Sequence, residues 1–519
     1  MGGGIAGFMA VSTVPLVLQL EGITKRFGEL VANEGIDLEL RRGEIVALLG
    51  ENGAGKTTLM SILFGHYVAD AGRIMVADGE GSLQPLAPGS PHAALAAGIG
   101  MVHQHFALAA NLSVFDNITL GTEPLWRLRR HGGAARRKLV ELTARSGLDV
   151  PLDAPVASLS VGERQRVEIL KALFRDVRVL ILDEPTAVLT PQEAEGLFAT
   201  LDRLAADGLA VLFISHKLDE VMRLCRRVVV LRAGRKVAEF PVHGTNPAAI
   251  AEAMVGRPVT LPRRDTQRPG KPILELRSVE VAGGGGLTGA TLSVHAHEIL
   301  GIAGVSGNGQ RALAGLLAGL AQPAAGEILL GGSPFPHGGA SAAVAAGVGR
   351  IPEDRLGEGV VTDLPIDRNL VLETCRKPEF QRLGFLRRGR LAEHARRLIG
   401  AYDVRCEGPA QRTGLLSGGN IQKLLLGRVL ELAPRLILAD QPTRGLDVGA
   451  VAFVHGRLLE ARRRGAGIVL ISEDLDELLR LADRVAVLHR GRLSDTLPTS
   501  GVTVRELGLL MTGQQLHAA

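Results

Sequence analysis

The same series of short motifs occurs twice in this 519-residue sequence, at a nearly constant separation. Three pairs of segments are 257 residues apart: 159–163 with 416–420, 179–186 with 436–443, and 214–220 with 471–477. Two glycine-rich loops, which begin at Gly50 and Gly304, are 254 residues apart. A constant offset over so many segments indicates a duplicated domain, because chance matches would not keep their spacing.

The boundary between the two copies is predicted at residues 262–272, where three prolines and a glycine are mixed with charged residues. Such a composition is typical of linkers. The sequence therefore predicts one domain over 16–261 and a second over 273–513, after an N-terminal extension at 1–15. In each domain short apolar strands alternate with amphipathic helices, which favours an α/β fold with a largely parallel sheet.

Composition excludes several classes of protein. The cysteines Cys225, Cys375 and Cys406 have no CxxC spacing, so neither a disulfide framework nor a cysteine-based zinc site is predicted. No apolar run of about 18–20 residues is present, so no direct membrane span is expected. A net charge of +5 with 3% aromatic residues argues against specific nucleic-acid binding. The start lacks the basic segment of a signal peptide, and translation begins at Met1 or Met9.

The first glycine loop fits the pattern GxxxxGK[ST] in full, and it lies between an apolar strand and a helix. Glycines let backbone N–H groups approach phosphates, and the helix N-terminus adds positive potential. We expect Lys56 to reach the β- and γ-phosphates of a nucleotide and the Thr57 hydroxyl to bind Mg²⁺. The predicted nucleotide-binding residues of this loop are Gly50, Glu51, Asn52, Gly53, Ala54, Gly55, Lys56, Thr57 and Thr58.

An apolar strand at 179–182 ends in two carboxylates, Asp183 and Glu184. Two acids at the end of a buried strand are costly unless they serve a metal ion and a water molecule. We therefore expect Asp183 to bind Mg²⁺ through water and Glu184 to act as the general base toward the attacking water.

These motifs, in this order and followed by Ser215-His216, resemble those of the ATP-binding-cassette (ABC) ATPases over nearly the whole chain. The resemblance implies two tandem nucleotide-binding domains, each with a RecA-like core, an antiparallel β subdomain and a helical subdomain. It also implies ATP and Mg²⁺ as cofactors. Gln104 resembles the glutamine that senses Mg²⁺ and the water, His216 the histidine that contacts the γ-phosphate, and Phe27 the aromatic that stacks on adenine. His103 and His105 are expected to be structural.

The second copy departs from the family pattern at five positions that carry its chemistry. In the loop of Gly304, Gly307 and Gly309 the lysine is replaced by Gln310 and the hydroxyl residue by Arg311. Glu353 replaces the Q-loop glutamine, Gln441 replaces the general base and Glu473 replaces the switch histidine. Asp440 remains. The second domain is therefore predicted to be a poor catalyst.

The signature loops show the complementary pattern. The second copy has Ser417, Gly418, Gly419 and Asn420, close to the family LSGGQ. In the first copy, Ser160 is followed by Val161 in place of a glycine and by Glu163 in place of the final glutamine. In the family, ATP is held between the glycine loop of one half and the signature loop of the other. The resemblance therefore implies one competent ATP site and one impaired site.

Fused twin cassettes of this kind look most like the subunits of bacterial nucleoside and simple-sugar importers. The loss of lysine, glutamate and histidine together in the second half looks closer to the nucleoside branch, while a sugar such as ribose or galactose is the alternative. A ribosome-associated ABC-F-like ATPase is a further alternative, although the short linker and the degenerate site speak against it. The importer assignment implies two transmembrane permease subunits, an extracytoplasmic substrate-binding protein, and a peripheral position on the cytoplasmic face of the inner membrane.

Overall fold

The structure, a computed structural model, describes residues 14–103, 106–122, 132–186, 189, 191–215, 217–305, 307–336, 338–511 and 513. By its internal contacts the chain divides into two compact units after Pro258, called unit 1 and unit 2 here. The predicted tandem α/β organisation is confirmed. Within the described ranges, no helix combines the length and the apolar character that crossing a bilayer requires.

Unit 1 alternates strands and helices in the predicted way. Its strands are β1 (Leu16–Phe27), β2 (Leu30–Arg41), β3 (Ile45–Leu49), β4 (Ala71–Ala77), β5 (Leu83–Pro85), β6 (Ile99–Val102), β7 (Val179–Asp183), β8 (Ala210–Ile214), β9 (Arg227–Arg232) and β10 (Arg235–Pro241). Its helices are α1 (Lys56–Leu63), α2 (Pro91–Ala96), α3 (Val114–Thr119), α4 (Gly132–Ser146), α5 (Val161–Leu173), α6 (Pro191–Ala206), α7 (Leu218–Leu224) and α8 (Pro247–Val255), with a 3₁₀ turn at Val156–Ser158.

Two sheets organise the described part of unit 1. The larger has the order β10-β9-β3-β8-β7-β6, in which β10 is antiparallel and the other pairings are parallel. The smaller has the antiparallel order β2-β1-β4-β5. Strands β3 and β8 are buried along their whole length, as expected for parallel strands covered on both faces. The carboxyl ends of β3 and β7, which carry the predicted site, therefore lie on one edge of a rigid sheet.

Unit 2 repeats this arrangement. Its strands are β11 (Pro272–Val281), β12 (Leu287–His295), β13 (Ile299–Ala303), β14 (Ala325–Leu330), β15 (Ser333–Pro334), β16 (Val348–Ile351), β17 (Gln381–Arg382), β18 (Phe385–Leu386), β19 (Leu436–Asp440), β20 (Gly467–Ser472), β21 (Arg484–His489), β22 (Arg492–Leu493) and β23 (Leu497–Pro498). Its helices are α9 (Gln310–Leu317), α10 (Ala340–Ala345), α11 (Ile366–Asn369), α12 (Arg388–Ala401), α13 (Gly418–Glu431), α14 (Val448–Arg463), α15 (Leu475–Leu481) and α16 (Val504–Met511). A π-helical turn (Arg355–Gly359) and 3₁₀ turns (Thr413–Leu415, Thr499–Gly501) complete the described elements.

The sheets of unit 2 correspond to those of unit 1. The main sheet has the order β16-β19-β20-β13-β21-β22, with β23 also paired to β21, and the smaller antiparallel sheet has the order β12-β11-β14-β15. Strands β17 and β18 form a separate two-stranded hairpin. The duplicated motifs therefore occupy equivalent strand ends in the two units, as the constant sequence offset predicts.

The predicted linker, residues 262–272, lies in unit 2 and contacts its surface. The Asp265 carboxylate accepts hydrogen bonds from Arg462 (3.0 Å) and Arg463 (3.2 Å). Arg462 is fully buried and also binds Asp483, at 3.0 and 2.7 Å. The Arg264 guanidinium donates to the Leu479 carbonyl at 3.1 Å. This part of the segment is therefore held by ion pairs and hydrogen bonds.

Candidate nucleotide-binding site

The first glycine loop adopts a backbone that only glycine fits. Gly50 has φ 155° and Gly55 has φ 97°, values that L side chains rarely adopt. A Cβ atom at Gly50 would collide with the Leu231 carbonyl oxygen, and one at Gly55 would collide with the Ala32 carbonyl oxygen. The loop can therefore lie close to its neighbours only because both positions lack a side chain.

Lys56, the first residue of α1, folds its side chain back over this loop. Its Nζ atom donates hydrogen bonds to the carbonyl oxygens of Gly50 (2.7 Å) and Glu51 (3.1 Å). No described side chain caps the N-terminus of α1 at Gly55. Backbone N–H groups at a helix start and a nearby ammonium together form an anion-binding site. Of the remaining predicted loop residues, Asn52, Gly53 and Thr57 are exposed, Thr58 is half-buried and Ala54 is buried.

The two carboxylates at the end of β7 share one electrostatic environment with Lys56. Burial, followed by the charge of Glu184, raises the pKa of Asp183 to about 6, while the charge of Lys56 opposes this rise. Glu184 has φ 48°, a strained value for a residue with a side chain. Its N–H nevertheless donates to the Ile214 carbonyl at 2.9 Å. The structure thus brings together the lysine and the two acids that the sequence predicts for one site.

Phe27, the predicted adenine-stacking residue, is exposed and contacts a second aromatic residue that the sequence pattern does not indicate. The Phe27 ring is 42% exposed and contacts Tyr67 edge to face, with ring centroids 5.4 Å apart. The Lys25 ammonium lies 5.5 Å from the Phe27 ring centroid, and its pairing with Asp70 (2.9 Å) fixes it there. Tyr67 is one of only two tyrosines in the chain, but it follows α1, forty residues from Phe27, so no sequence spacing links them.

Two predicted catalytic residues, Gln104 and His216, lie outside the described residues, as does His105. His103 is described, and it stacks on His66 with ring centroids 6.1 Å apart and an interplanar angle of 16°. Burial, followed by the charge of His66, lowers the pKa of His103. This packing agrees with a structural role for His103.

The two signature loops begin their helices differently. Ser160 precedes α5 with a complete capping box: its Oγ accepts from the Glu163 N–H at 3.3 Å, and the Glu163 carboxylate accepts from the Ser160 N–H at 2.7 Å. The latter bond lowers the pKa of Glu163. A charged carboxylate therefore covers this helix start, where it would repel a phosphate.

The second signature loop leaves its helix start open. Ser417 precedes α13 and makes no side-chain cap bond to the helix backbone. Its Oγ instead accepts from Asn420 Nδ2 at 2.9 Å, and Asn420 Oδ1 accepts from the Arg405 N–H at 2.9 Å. Gly418 and Gly419 add no side chains. This fourteen-residue helix has no capping carboxylate, and the Arg355 guanidinium lies near Gly418. Its glycine-lined N-terminus is therefore the type of end that binds anions.

In the second glycine loop, Gln310 occupies the place of the lysine and binds the loop itself. Its Nε2 donates to the Val305 carbonyl at 2.8 Å, and its Oε1 accepts from the Asn308 N–H at 3.0 Å. Gln310 is only 9% exposed, whereas Arg311 is exposed. A Cβ at Gly304 would collide with the Gln310 amide. The backbone N–H of Asn308 is thus hydrogen-bonded within the loop, and no ammonium is present there.

The remaining groups of the second site form an internal charge cluster. Glu353 forms an ion pair with Arg444, four residues beyond Asp440. Burial, followed by the charge of Glu353, raises the pKa of Asp440 to about 7. Gln441 repeats the strained φ of 48° at Glu184, and its Oε1 accepts from the Glu473 N–H at 3.3 Å. The backbone frame of a catalytic site is therefore present with different side chains on it.

Comparison with known proteins agrees with these features. The sequence matches the family described as ABC transporter over residues 33–187 and again over 287–444. The two matches contain the first and second glycine loops, the two signature loops and the two acidic strand ends.

Several curated proteins are similar over almost the full length. The nucleoside import ATP-binding protein NupA of Lactococcus lactis subsp. cremoris (strain MG1363) is 40% identical, covering 96% of this chain and 99% of NupA. The guanosine import ATP-binding protein NupO of Bacillus subtilis (strain 168) is 41% identical, covering 96% and 97%. The ribose import ATP-binding protein RbsA 1 of Burkholderia thailandensis is 42% identical, covering 93% and 94%.

Proposed function

Because this chain belongs to the ABC transporter family, we propose that it energises an importer with one competent ATP site and one degenerate site. The chain is an ATPase of this family. The observation that carries the proposal is the shared electrostatic environment of Lys56, Asp183 and Glu184, against the self-bonded Gln310 of unit 2.

The residues of unit 1 suit Mg²⁺ as the ion that accompanies ATP. Asp183 is a half-buried carboxylate whose pKa is raised to about 6, mainly by burial, so Lys56 compensates its negative charge only in part. The hard oxygens of a carboxylate and of the Thr57 hydroxyl are the donors that Mg²⁺ prefers. Asp183, Thr57 and Gln104 would hold the ion, which supplies charge neutralisation at the β- and γ-phosphates.

Different residues would have separate roles in ATP binding and hydrolysis. Lys56 and the loop N–H groups bind the phosphates, and Phe27 stacks on adenine. Glu184, held in place by its strained backbone, orients the attacking water and takes its proton. His216 contacts the γ-phosphate. We infer from the family resemblance that the helix start at Ser417 contacts the same ATP, because a carboxylate, that of Glu163, caps the helix start of the other signature loop.

For the cargo, we propose nucleosides, with ribose or galactose as the alternative. Similar proteins named for nucleoside or guanosine import support this proposal, and others named for ribose import support the alternative. The chain would work with two permease subunits and a substrate-binding protein at the cytoplasmic face of the inner membrane. A ribosome-associated role is the less favoured alternative.

The test is reconstitution of the chain with its two permeases and binding protein in vesicles. Guanosine or another nucleoside should stimulate phosphate release, and ribose should not. Lys56→Ala should abolish the stimulated rate. Stimulation by ribose alone would reassign the cargo, and co-sedimentation with ribosomes without any cargo response would refute the importer assignment.

A further inference from the structure

A short hairpin in unit 2 projects two large apolar side chains into solvent. Strands β17 and β18 pair Gln381 with Leu386 and Arg382 with Phe385. Leu383 is 91% exposed and Phe385 is 80% exposed. No other large hydrophobic residue within the described ranges is exposed to this extent. The pair forms an apolar tip, here called the hairpin tip, that the unit itself does not bury.

The residue at the first turn position of the hairpin tip, Leu383, is unfavourable for the backbone conformation of that turn. Leu383 and Gly384 occupy the two turn positions, with φ 51° and 83°. A two-residue turn with both φ values positive favours Asn-Gly or Asp-Gly, and a leucine in that region is strained. An asparagine at 383 would relieve this strain and remove an exposed apolar surface. A leucine at this position therefore indicates that the hairpin tip contacts another molecule.

Packing and hydrogen bonds hold the base of the hairpin in place. Phe380, directly before the hairpin, is 3% exposed and packs with Val371 and Leu391. The Arg387 N–H donates to the Phe380 carbonyl at 2.8 Å, which closes the hairpin at its base. The Gln381 side chain also donates to a backbone carbonyl of the preceding segment at 2.9 Å. The two apolar side chains are thus presented in a defined position.

A dense positive charge surrounds the tip. Residues 376–390 contain a single acid, Glu379, and six exposed cations, a net charge of +5: Arg376, Lys377, Arg382, Arg387, Arg388 and Arg390. Among these six, only Arg390 forms an ion pair with a described residue, Glu393, at 3.1 Å. The other cations are therefore available to an external anion.

We propose that the hairpin tip docks on the anionic headgroup surface of a lipid bilayer. Leu383 and Phe385 would enter the interfacial layer, and the surrounding cations would bind lipid phosphates. Apolar insertion combined with a basic patch gives the two signals that reversible membrane binding requires. A cytoplasmic loop of a membrane protein fits less well, because such loops carry an excess of Lys and Arg and would repel this segment.

The experiment is co-sedimentation of the full chain with vesicles, without ATP or permease. Vesicles with equal parts of phosphatidylcholine and phosphatidylglycerol should bind the chain, pure phosphatidylcholine should not, and added salt should weaken binding. Leu383→Asn should lower the affinity at least about tenfold. Removing Arg387 and Arg388 should lower it about fivefold for each cation. Leu320→Asn, at a residue 60% exposed outside the hairpin, is the matched control and should change nothing.

A spectroscopic readout locates the tip directly. The chain has one tryptophan, Trp126, so Phe385→Trp in a Trp126→Phe background reports on the tip alone. Brominated lipid chains should quench its fluorescence in anionic vesicles. The proposal is wrong if quenching is absent or if Leu383→Asn binds vesicles like the wild type. It is also wrong if Leu383→Asn impairs binding to detergent-solubilised permeases without lipid. Because no ATP is used, these outcomes leave the ATPase assignment untouched.

Discussion

The Asn308 backbone N–H donates a 3.0 Å hydrogen bond to the Gln310 side chain, inside the glycine loop of unit 2. In unit 1 the equivalent long side chain is Lys56, whose ammonium donates hydrogen bonds to the carbonyl oxygens of Gly50 and Glu51. An ammonium can move from a carbonyl to a phosphate and keep a strong partner. An amide that consumes a backbone donor offers no such exchange, so the two loops differ in chemistry although their backbones agree.

Removal of the long side chain should therefore have unequal effects. Lys56→Ala should abolish ATP hydrolysis, because no other cation of the glycine-loop sequence replaces it. Gln310→Ala should change the rate less than about twofold, since no turnover is expected at that loop. Steady-state phosphate release by the complex with permeases measures both variants. Equal loss in the two would contradict the assignment of a single competent loop.

Glu184→Gln should leave ATP binding intact and stop turnover. The amide keeps the shape of the side chain but cannot take a proton from water, a loss of about 10²–10⁴-fold. Filter binding of labelled ATP and phosphate release separate the two effects.

The reverse exchange in unit 2 provides the control. Gln441 has the same backbone φ as Glu184, but Gln441→Glu should restore nothing because Gln310 and Glu473 still occupy that site. Substantial hydrolysis by the double variant Glu184→Gln, Gln441→Glu would show that the second site is competent.

The catalytic motifs could be predicted from the sequence because each is a short segment whose spacing encodes its geometry. The strand, glycine loop and helix around Lys56 are contiguous, so local pattern sufficed. The internal bonding of Gln310 depends on a rotamer, and the contact of Tyr67 with Phe27 depends on tertiary packing between residues distant in the sequence. The burial of Arg462 against Asp265 likewise depends on a path of the 262–272 segment that its linker-like composition does not reveal.

Arg462 should be important for the stability of unit 2. It is fully buried between Asp483 and Asp265. Arg462→Ala removes a fully buried guanidinium from the half-buried Asp483, which among the described cations keeps only the more distant Arg264 at 3.7 Å, and this should cost about 3–5 kcal/mol. Arg463→Ala is the matched control: Arg463 also binds Asp265 but its side chain is 49% exposed, so the loss should be about 0–1 kcal/mol. Urea unfolding followed by circular dichroism measures both. Similar midpoints for the two variants would contradict this ranking.

Asp440 should make the stability of unit 2 fall as the pH rises. Its pKa is raised from 3.8 to about 7, so between these values the folded chain keeps a proton that the unfolded chain has lost. Stability is then lost progressively over that window and is constant above it. Asp440→Asn removes the effect, and its stabilisation should be about 2–3 kcal/mol larger at pH 8 than at pH 5.

Urea unfolding at the two pH values measures this difference. Asp495→Asn, at an exposed carboxylate of the same unit, is the matched control. If Asp440→Asn stabilises the chain equally at both pH values, the pKa of Asp440 is not raised in the folded state.

The central claim, a proposal based on the family resemblance, is that the Lys56 loop and the Ser417 signature loop bind the same catalytic ATP. Its most direct measurement is the ATPase rate of Ser417→Arg beside that of Ser160→Arg in the reconstituted complex. Ser417→Arg should stop hydrolysis, because it places a bulky side chain at the glycine-lined helix start that we propose binds the γ-phosphate. It also removes a hydrogen bond to a charged group, worth about 1.5–3 kcal/mol. Ser160→Arg breaks a capping box, worth about 1 kcal/mol of stability, and should leave measurable activity. If Ser160→Arg is the more damaging variant, the catalytic ATP lies elsewhere and the claim is wrong.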